Sequence, residues 1–229
     1  MHAVVAIVAL SLLIGLLICV KKESTKGILL TKPSLSALFV IVALTGPSAN
    51  PTYFGFILGG LLFCVAGDLL LIFPAKELFL AGLFSFLVGH VLYSIAFFMM
   101  ASLGTLTWII AALCLLISVG VFVWLRRYLG RMLVPVIAYM VVITVMVVGA
   151  TSLAINEQLL ITGRSLVLCG AILFYCSDIF VARHRFVKKQ YFNRLAGLPH
   201  ILRWAIHDCL LPSFHLTAHC WEIDITNNS

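Results

Sequence analysis

The chain has 229 residues, of which 63% are hydrophobic and only 10% charged, and its 15 Lys and Arg outweigh its 8 Asp and Glu for a formal charge of +7. Water-soluble domains run near half apolar and about a quarter charged, so a core wrapped in a polar shell is excluded. In a soluble chain such a charge would suggest nucleic acid, but here the basic residues fall between apolar runs, the pattern that orients a membrane protein; no nucleic-acid partner is expected.

Spanning a hydrocarbon core takes about 20 apolar residues. Runs approaching that length occupy approximately 2–20, 33–47, 53–73, 77–101, 105–125, 132–151 and 163–182. The first lacks a basic n-region and a small-x-small cleavage site, and Lys21-Lys22 follows it directly. It therefore reads as a retained first span rather than a signal peptide. The second is expected to start at Lys32-Pro33, with proline in the first helical turn, where its missing N–H costs nothing. Gly46-Pro47-Ser48-Ala49-Asn50-Pro51 carries turn chemistry. Connections this short make sequential helices antiparallel neighbours. The expected fold is all-α, a polytopic transmembrane bundle with seven clear spans.

Charge orients the bundle. Lys21, Lys22, Lys26 and Lys32 are assigned to the first loop, and Arg126, Arg127 and Arg131 to the fifth. Arg183, Arg185, Lys188, Lys189 and Arg194 follow the seventh run. The second, fourth and sixth loops have almost no basic residues, so odd loops are expected in the cytoplasm and the N-terminus outside. The compact loops point to a bacterial inner membrane.

Beyond about Leu195 the pattern changes. His200, Arg203, His207, Asp208 and His215 interrupt the apolar residues. A charge at a span's centre costs roughly 2.5–3.5 kcal/mol, which argues against an eighth crossing here. From His219 to Ser229 the tail is polar. Its Cys209, His215, His219 and Cys220 match no closed four-ligand spacing, so no metal is expected. The seven cysteines form no CxxC pair and read as small core residues.

Ionisable residues inside spans are costly and are functional candidates for that reason. Asp68 lies in the third run, His90 midway along the fourth and Asp178 in the seventh. Both aspartates fall near the cytoplasmic end of an odd span, hence at similar depth. Sharing a site would leave one protonated and one ionised at neutral pH, the division that acid–base chemistry needs. Alternatively, each pairs with a loop lysine or caps a neighbouring helix. Gly82, Phe86, Gly89, His90 and Tyr93 recur at three- and four-residue intervals and make one helix face. Its glycines permit close helix approach, turning His90 inward, either as a hydrogen-bonded interior histidine or as part of a site. Lys32, at the mouth beside Pro33, either anchors the interface, meets a lipid phosphate or pairs with Asp68.

Taken in order, Lys32-Pro33, Gly67-Asp68-Leu69-Leu70-Leu71, the stretch from Phe79 to Phe86, His90 with Tyr93, Pro135 with Tyr139, and Ser177-Asp178 resemble the YhhN family of lysoplasmalogenases over roughly residues 25–199. The resemblance implies an eight-helix bundle that cleaves the vinyl-ether bond of lysoplasmalogens, giving a fatty aldehyde and a glycerophospho-alcohol. It implies Asp68 and Asp178 as central carboxylates, with His90 catalytic beside them. Lys32, Tyr93 and Tyr139 would bind substrate in the same pocket. The substrate is then a membrane lysophospholipid, and no metal or organic cofactor is implied. Gly197-Leu198-Pro199 still fits the start of the family's last helix, but from His200 the pattern is lost, as a replaced C-terminus would produce. The expected division is a bundle over 1–199 and an atypical tail over 200–229.

Vinyl ethers hydrolyse by protonation at carbon, so two carboxyl groups would serve as they do in glycosidases, one as acid and one stabilising the oxocarbenium ion. A transporter is the alternative. Gly60-x3-Cys64-x3-Asp68 and Gly170-x3-Phe174-x3-Asp178 echo each other as the halves of an internal repeat do. A purely structural protein would leave the two inward aspartates unexplained. The seventh run has no lysine for a retinal Schiff base.

Overall fold

In hydrocarbon an apolar segment must satisfy its own backbone, and a helix does so within one segment. The computed structural model describes residues 2–187 except 23, 46–49, 74, 102 and 160, and no strand occurs among the described residues. Seven α-helices follow in order: α1 (His2–Lys21), α2 (Thr25–Thr45), α3 (Pro51–Leu70), α4 (Lys76–Met99), α5 (Thr105–Leu129), α6 (Leu133–Ile155) and α7 (Ile161–Ala182). Each of the seven apolar runs falls largely within one of them. A short 3-10 turn, Gly130–Met132, joins α5 to α6, and a π turn, Arg183–Val187, extends α7. The eighth helix that the resemblance implies and the tail of 200–229 lie outside the described residues.

The second helix differs from its expected boundary. It begins at Thr25, eight residues before Pro33, which therefore sits inside the helix. Ser24 explains the early start, because its Oγ accepts the Gly27 N–H at 3.3 Å, as an N-cap does. Pro33 removes the N–H that would bond the carbonyl one turn back, a loss that membrane helices tolerate where hydroxyls and neighbours supply other bonds. Thr31 Oγ1 and Ser34 Oγ donate to the Gly27 and Leu30 carbonyls at 2.8 and 2.7 Å in this turn. Lys26 and Lys32 accordingly belong to α2 and not to the first loop.

At the start of α3, Asn50 Oδ1 accepts the Thr52 and Tyr53 N–H groups at 3.1 Å each, and Pro51 takes the first helical position. Among the described residues, four helical stretches have the length and apolarity to cross a membrane: Pro51–Leu70, Lys76–Met99, Thr105–Ile155 and Gly163–Val187. The third of these is α5 and α6 together, separated at Gly130, whose φ of 49° suits glycine.

α4 packs between α3 and α6, and α6 also meets α5 and α7. Phe86 and Phe97 of α4, Ile143, Met146, Val147 and Ala150 of α6, and Phe174 of α7 form the principal core. A second cluster joins Leu16, Val20, Ile28 and Leu35 across α1 and α2. The outer surface is apolar as well: α5 exposes Trp108, Ile109, Leu113, Leu116 and Val123, as a helix facing lipid does.

The α3–α4 contact is set by two glycine pairs. A Cβ on Gly60 or on Gly89 would lie 3.0 Å from the other residue's carbonyl oxygen. Seven residues along α3 and seven back along α4, Gly67 and Gly82 repeat the arrangement at 3.1 and 3.2 Å. Only glycine lets two helix backbones approach this closely. Gly67→Val should therefore lose roughly 1–3 kcal/mol of stability through overpacking against Phe86 and the Gly82 backbone. Thermal unfolding of detergent-purified protein measures this, and an unchanged midpoint would count against the seam.

Candidate functional site

The glycine seam brings the last turn of α3 against α4 and leaves Asp68, 1% exposed, pointing into the bundle. A bare carboxylate there would be very costly, and α2 supplies its partner. Lys32, also buried, places Nζ 3.2 Å from Asp68 Oδ1 and 3.2 Å from the Asp68 backbone carbonyl. One turn further along α2, Ser36 Oγ donates to Asp68 Oδ2 at 3.4 Å. Lys32 and Ser36 are thus an i, i+4 pair closing on one carboxylate. Of the roles open to Lys32 from sequence, the structure gives it the pairing with Asp68.

Asp178, on the last turns of α7, has a different partner. The Tyr139 hydroxyl, from α6, donates to Asp178 Oδ2. Lys32, Asp68, Tyr139 and Asp178 all line one pocket, whose remaining wall includes Leu71, Phe79, Phe86, Leu125, Ile143, Tyr175 and Phe186. Its empty space comes to about 880 Å³ when the open solvent at its mouth is included. The lining is mainly apolar, with a few polar groups converging on it. Asp68 lies at the end of α3 with Leu71 just past it, Phe79 near the start of α4, Leu125 near the end of α5, Asp178 near the end of α7 and Phe186 in the π turn beyond, so the pocket occupies one end of the bundle. Arg126, Arg127, Arg131, Arg183 and Arg185 lie at the helix ends on this same side.

His90 and Tyr93 stand behind this pocket and do not line it. His90 is fully buried, and its Nδ1 bonds the Phe86 carbonyl one turn earlier. A carbonyl can only accept, so Nδ1 carries the hydrogen. The imidazole packs edge-on against Tyr139 and Phe174, with centroids 5.6 and 4.7 Å away. Tyr93 meets the His90 ring edge-on at 6.2 Å, stacks with Phe97 and covers Gly60. His90 therefore touches the site through the Tyr139 ring.

Two contributors were not singled out from sequence. Ser36 would have been visible at i+4 from Lys32, had the helix been allowed to run through Pro33. Tyr175 lies one turn before Asp178 on the same face of α7 and lines the pocket. Its hydroxyl is 2.7 Å from Ser118 Oγ, which is 2.7 Å from Thr144 Oγ1, a largely buried hydroxyl chain across α5, α6 and α7.

A bundle with a hydrocarbon exterior, whose interior holds an ion pair and a second carboxyl in one pocket, defines a multi-pass membrane protein with a buried polar site. The YhhN family model matches residues 27–200, most of the chain, and the protein belongs to that family. No curated protein and no solved structure matches it.

Breaking one partner of a buried pair leaves an uncompensated charge, which typically costs about 3–5 kcal/mol. Lys32→Met should show a loss of this size by thermal unfolding. Lys32→Met/Asp68→Leu, which removes both charges, should recover most of it. A double variant no more stable than the single one would mean that packing, not the pair, is what Lys32 contributes.

Proposed function

We propose that the protein is a membrane-embedded hydrolase that cleaves the vinyl-ether bond of lysoplasmalogens, with its N-terminus outside and the basic end of the bundle in the cytoplasm. The observation that carries this reading is that Asp68 and Asp178, from α3 and α7, line one apolar pocket yet have different partners. A vinyl ether demands just such a division. Its carbon must receive a proton from a positioned acid, and the resulting oxocarbenium ion needs a negative charge nearby.

Asp68, whose charge is balanced by Lys32, is the carboxylate that stays ionised and faces the developing cation. Asp178, whose described partner is a phenol, delivers the proton to the vinyl carbon. Water then adds to the carbon attached to oxygen, and its proton returns to the Asp178 carboxylate. The hemiacetal so formed collapses to a fatty aldehyde and a glycerophospho-alcohol, so that one water is consumed and the acid is restored. Tyr139 fixes the Asp178 carboxyl through its hydrogen bond, and His90 steadies the Tyr139 ring. Both are positioning residues. The apolar wall formed by Leu71, Leu125 and Ile143 receives the aliphatic chain and limits access of bulk water.

The test is aldehyde release from a lysoplasmalogen by the purified protein. A positioned acid or base contributes about 10²–10⁴ in rate, so Asp178→Asn and Asp68→Asn should each lose activity on that scale. Full activity in either folded variant removes that aspartate from the chemistry. Uptake of the lipid into vesicles with no aldehyde formed would replace the hydrolase by a transporter. Tyr139→Phe, which deletes only the hydroxyl, should keep substrate affinity and lower the turnover; an unchanged turnover would remove its positioning role.

A further inference from the structure

Lys32 is committed to Asp68, so the anionic group of a phospholipid must be met by another cation. We propose that Arg185, seated on the ring of Phe79, is the anion-binding end of the pocket and takes the phosphodiester of a single-chain phospholipid. The inference rests on the substrate class proposed above and adds the residue that reads its head group.

Phe79 and Phe186 both line the pocket and meet edge-on, with centroids 5.9 Å apart, at the basic end of the bundle. Arg185 is not itself among the lining side chains; it lies over one of them, with Cζ 4.4 Å from the centroid of the Phe79 ring, at the pocket's rim. A guanidinium stacked on an aromatic face is held flat, with its N–H donors directed outward in its own plane, the arrangement that grips a phosphate through two bonds at once. No carboxylate is paired with Arg185 among the described residues. The π turn Arg183–Val187 takes an extra residue per turn and so swings Arg185 and Phe186 relative to the α7 positions before them.

The spacing suits the substrate. Arg185 follows Asp178 by two turns, roughly 10 Å at 1.5 Å per residue. An extended glycerol-phosphate arm, from vinyl carbon to phosphorus, spans roughly 8 Å at the ~1.5 Å lengths of single bonds. A phosphate held by Arg185 therefore leaves the vinyl ether at the level of Asp178 and the aliphatic chain further in. Arg127 gives the contrast. Its guanidinium also lies over a ring, 4.8 Å from the Tyr128 centroid, but Tyr128 is exposed and does not line the pocket.

Binding tests this without requiring turnover. The probes are an uncleavable alkyl-ether lysophosphoethanolamine and the corresponding alkylglycerol, which lacks the phosphate, titrated into full-length protein in neutral detergent micelles. Wild type should prefer the phosphorylated probe by about tenfold, the scale of a charge-assisted hydrogen bond. Arg185→Gln should abolish that preference while leaving alkylglycerol affinity unchanged, which also shows that the pocket is still formed. Arg185→Lys should keep part of the preference, and Arg127→Gln all of it. The proposal is overturned if Arg185→Gln retains the preference or if wild type has none. It is also overturned if added anionic diacyl phospholipid erases the preference, which would assign Arg185 to bulk bilayer phosphates. Preference intact but no aldehyde from a lysoplasmalogen would support the anion site and sink the hydrolase reading alone.

Discussion

A lysine and an aspartate buried together in a bundle whose outside is hydrocarbon constrain nearly everything around them. Neither charge is tolerable alone at that depth, so α2 and α3 must dock in the one register that brings Lys32 Nζ to Asp68 Oδ1. That register explains why α2 continues through Pro33, because stopping at the proline would put Lys32 at a helix end and lift Ser36 off the carboxylate. It also depends on the glycine pairs of α3 and α4. They bring the α3 backbone against α4, so that Asp68 faces the pocket instead of the lipid. Apolar packing alone would not select this arrangement, since the helices' outer faces are as apolar as their inner ones.

The pair also makes the two aspartates unequal. Each lies near the end of its helix, yet one is balanced by an ammonium and the other bonded to a phenol. Two identical carboxylates facing each other would repel, and sharing a proton would leave their roles interchangeable. An ammonium on one of them breaks that symmetry by position rather than by residue type. The polar groups of the site therefore come from four helices, α2, α3, α6 and α7, while α4 and α5 add apolar wall and His90 stands behind it.

Much of this was legible in the sequence because a membrane restricts the choices. Run length gave the helices, since a segment without water has few other ways to satisfy its backbone. The rarity of charge inside those runs singled out Asp68, Asp178 and His90 before any contact was known. What was not legible depended on a balance between local and distant effects. Pro33 reads as a helix start by local rules, and the Ser24 cap together with the ion pair outweighs them. The face shared with Gly82 and Gly89 turns His90 and Tyr93 inward, and the family resemblance is what implied a place for them in the pocket. A helix face covers a wide arc, however, and here Tyr139 takes the part that meets the pocket. Ser36 and Tyr175 are ordinary residues that acquire meaning only from neighbours on the same helix.

The placement of the pocket follows from the same economy of charge. A single-chain lipid keeps its head group at the interface and its chain in hydrocarbon, and a site for it must offer both environments within a few helical turns. The basic end of this bundle offers both: guanidinium groups lie at the helix ends, Asp178 precedes Arg185 by about two turns, and apolar side chains close the interior. A site at mid-bundle would have to draw the head group into hydrocarbon. One on the surface would leave an oxocarbenium ion in bulk water, where a fixed carboxylate is screened and worth little. For the substrate proposed above, a site at this depth would let the reacting bond reach Asp68 and Asp178 while the phosphate stays with the arginines. On the proposed reading, the depth of the aspartates is thus the feature by which one pocket would serve both ends of an amphipathic molecule.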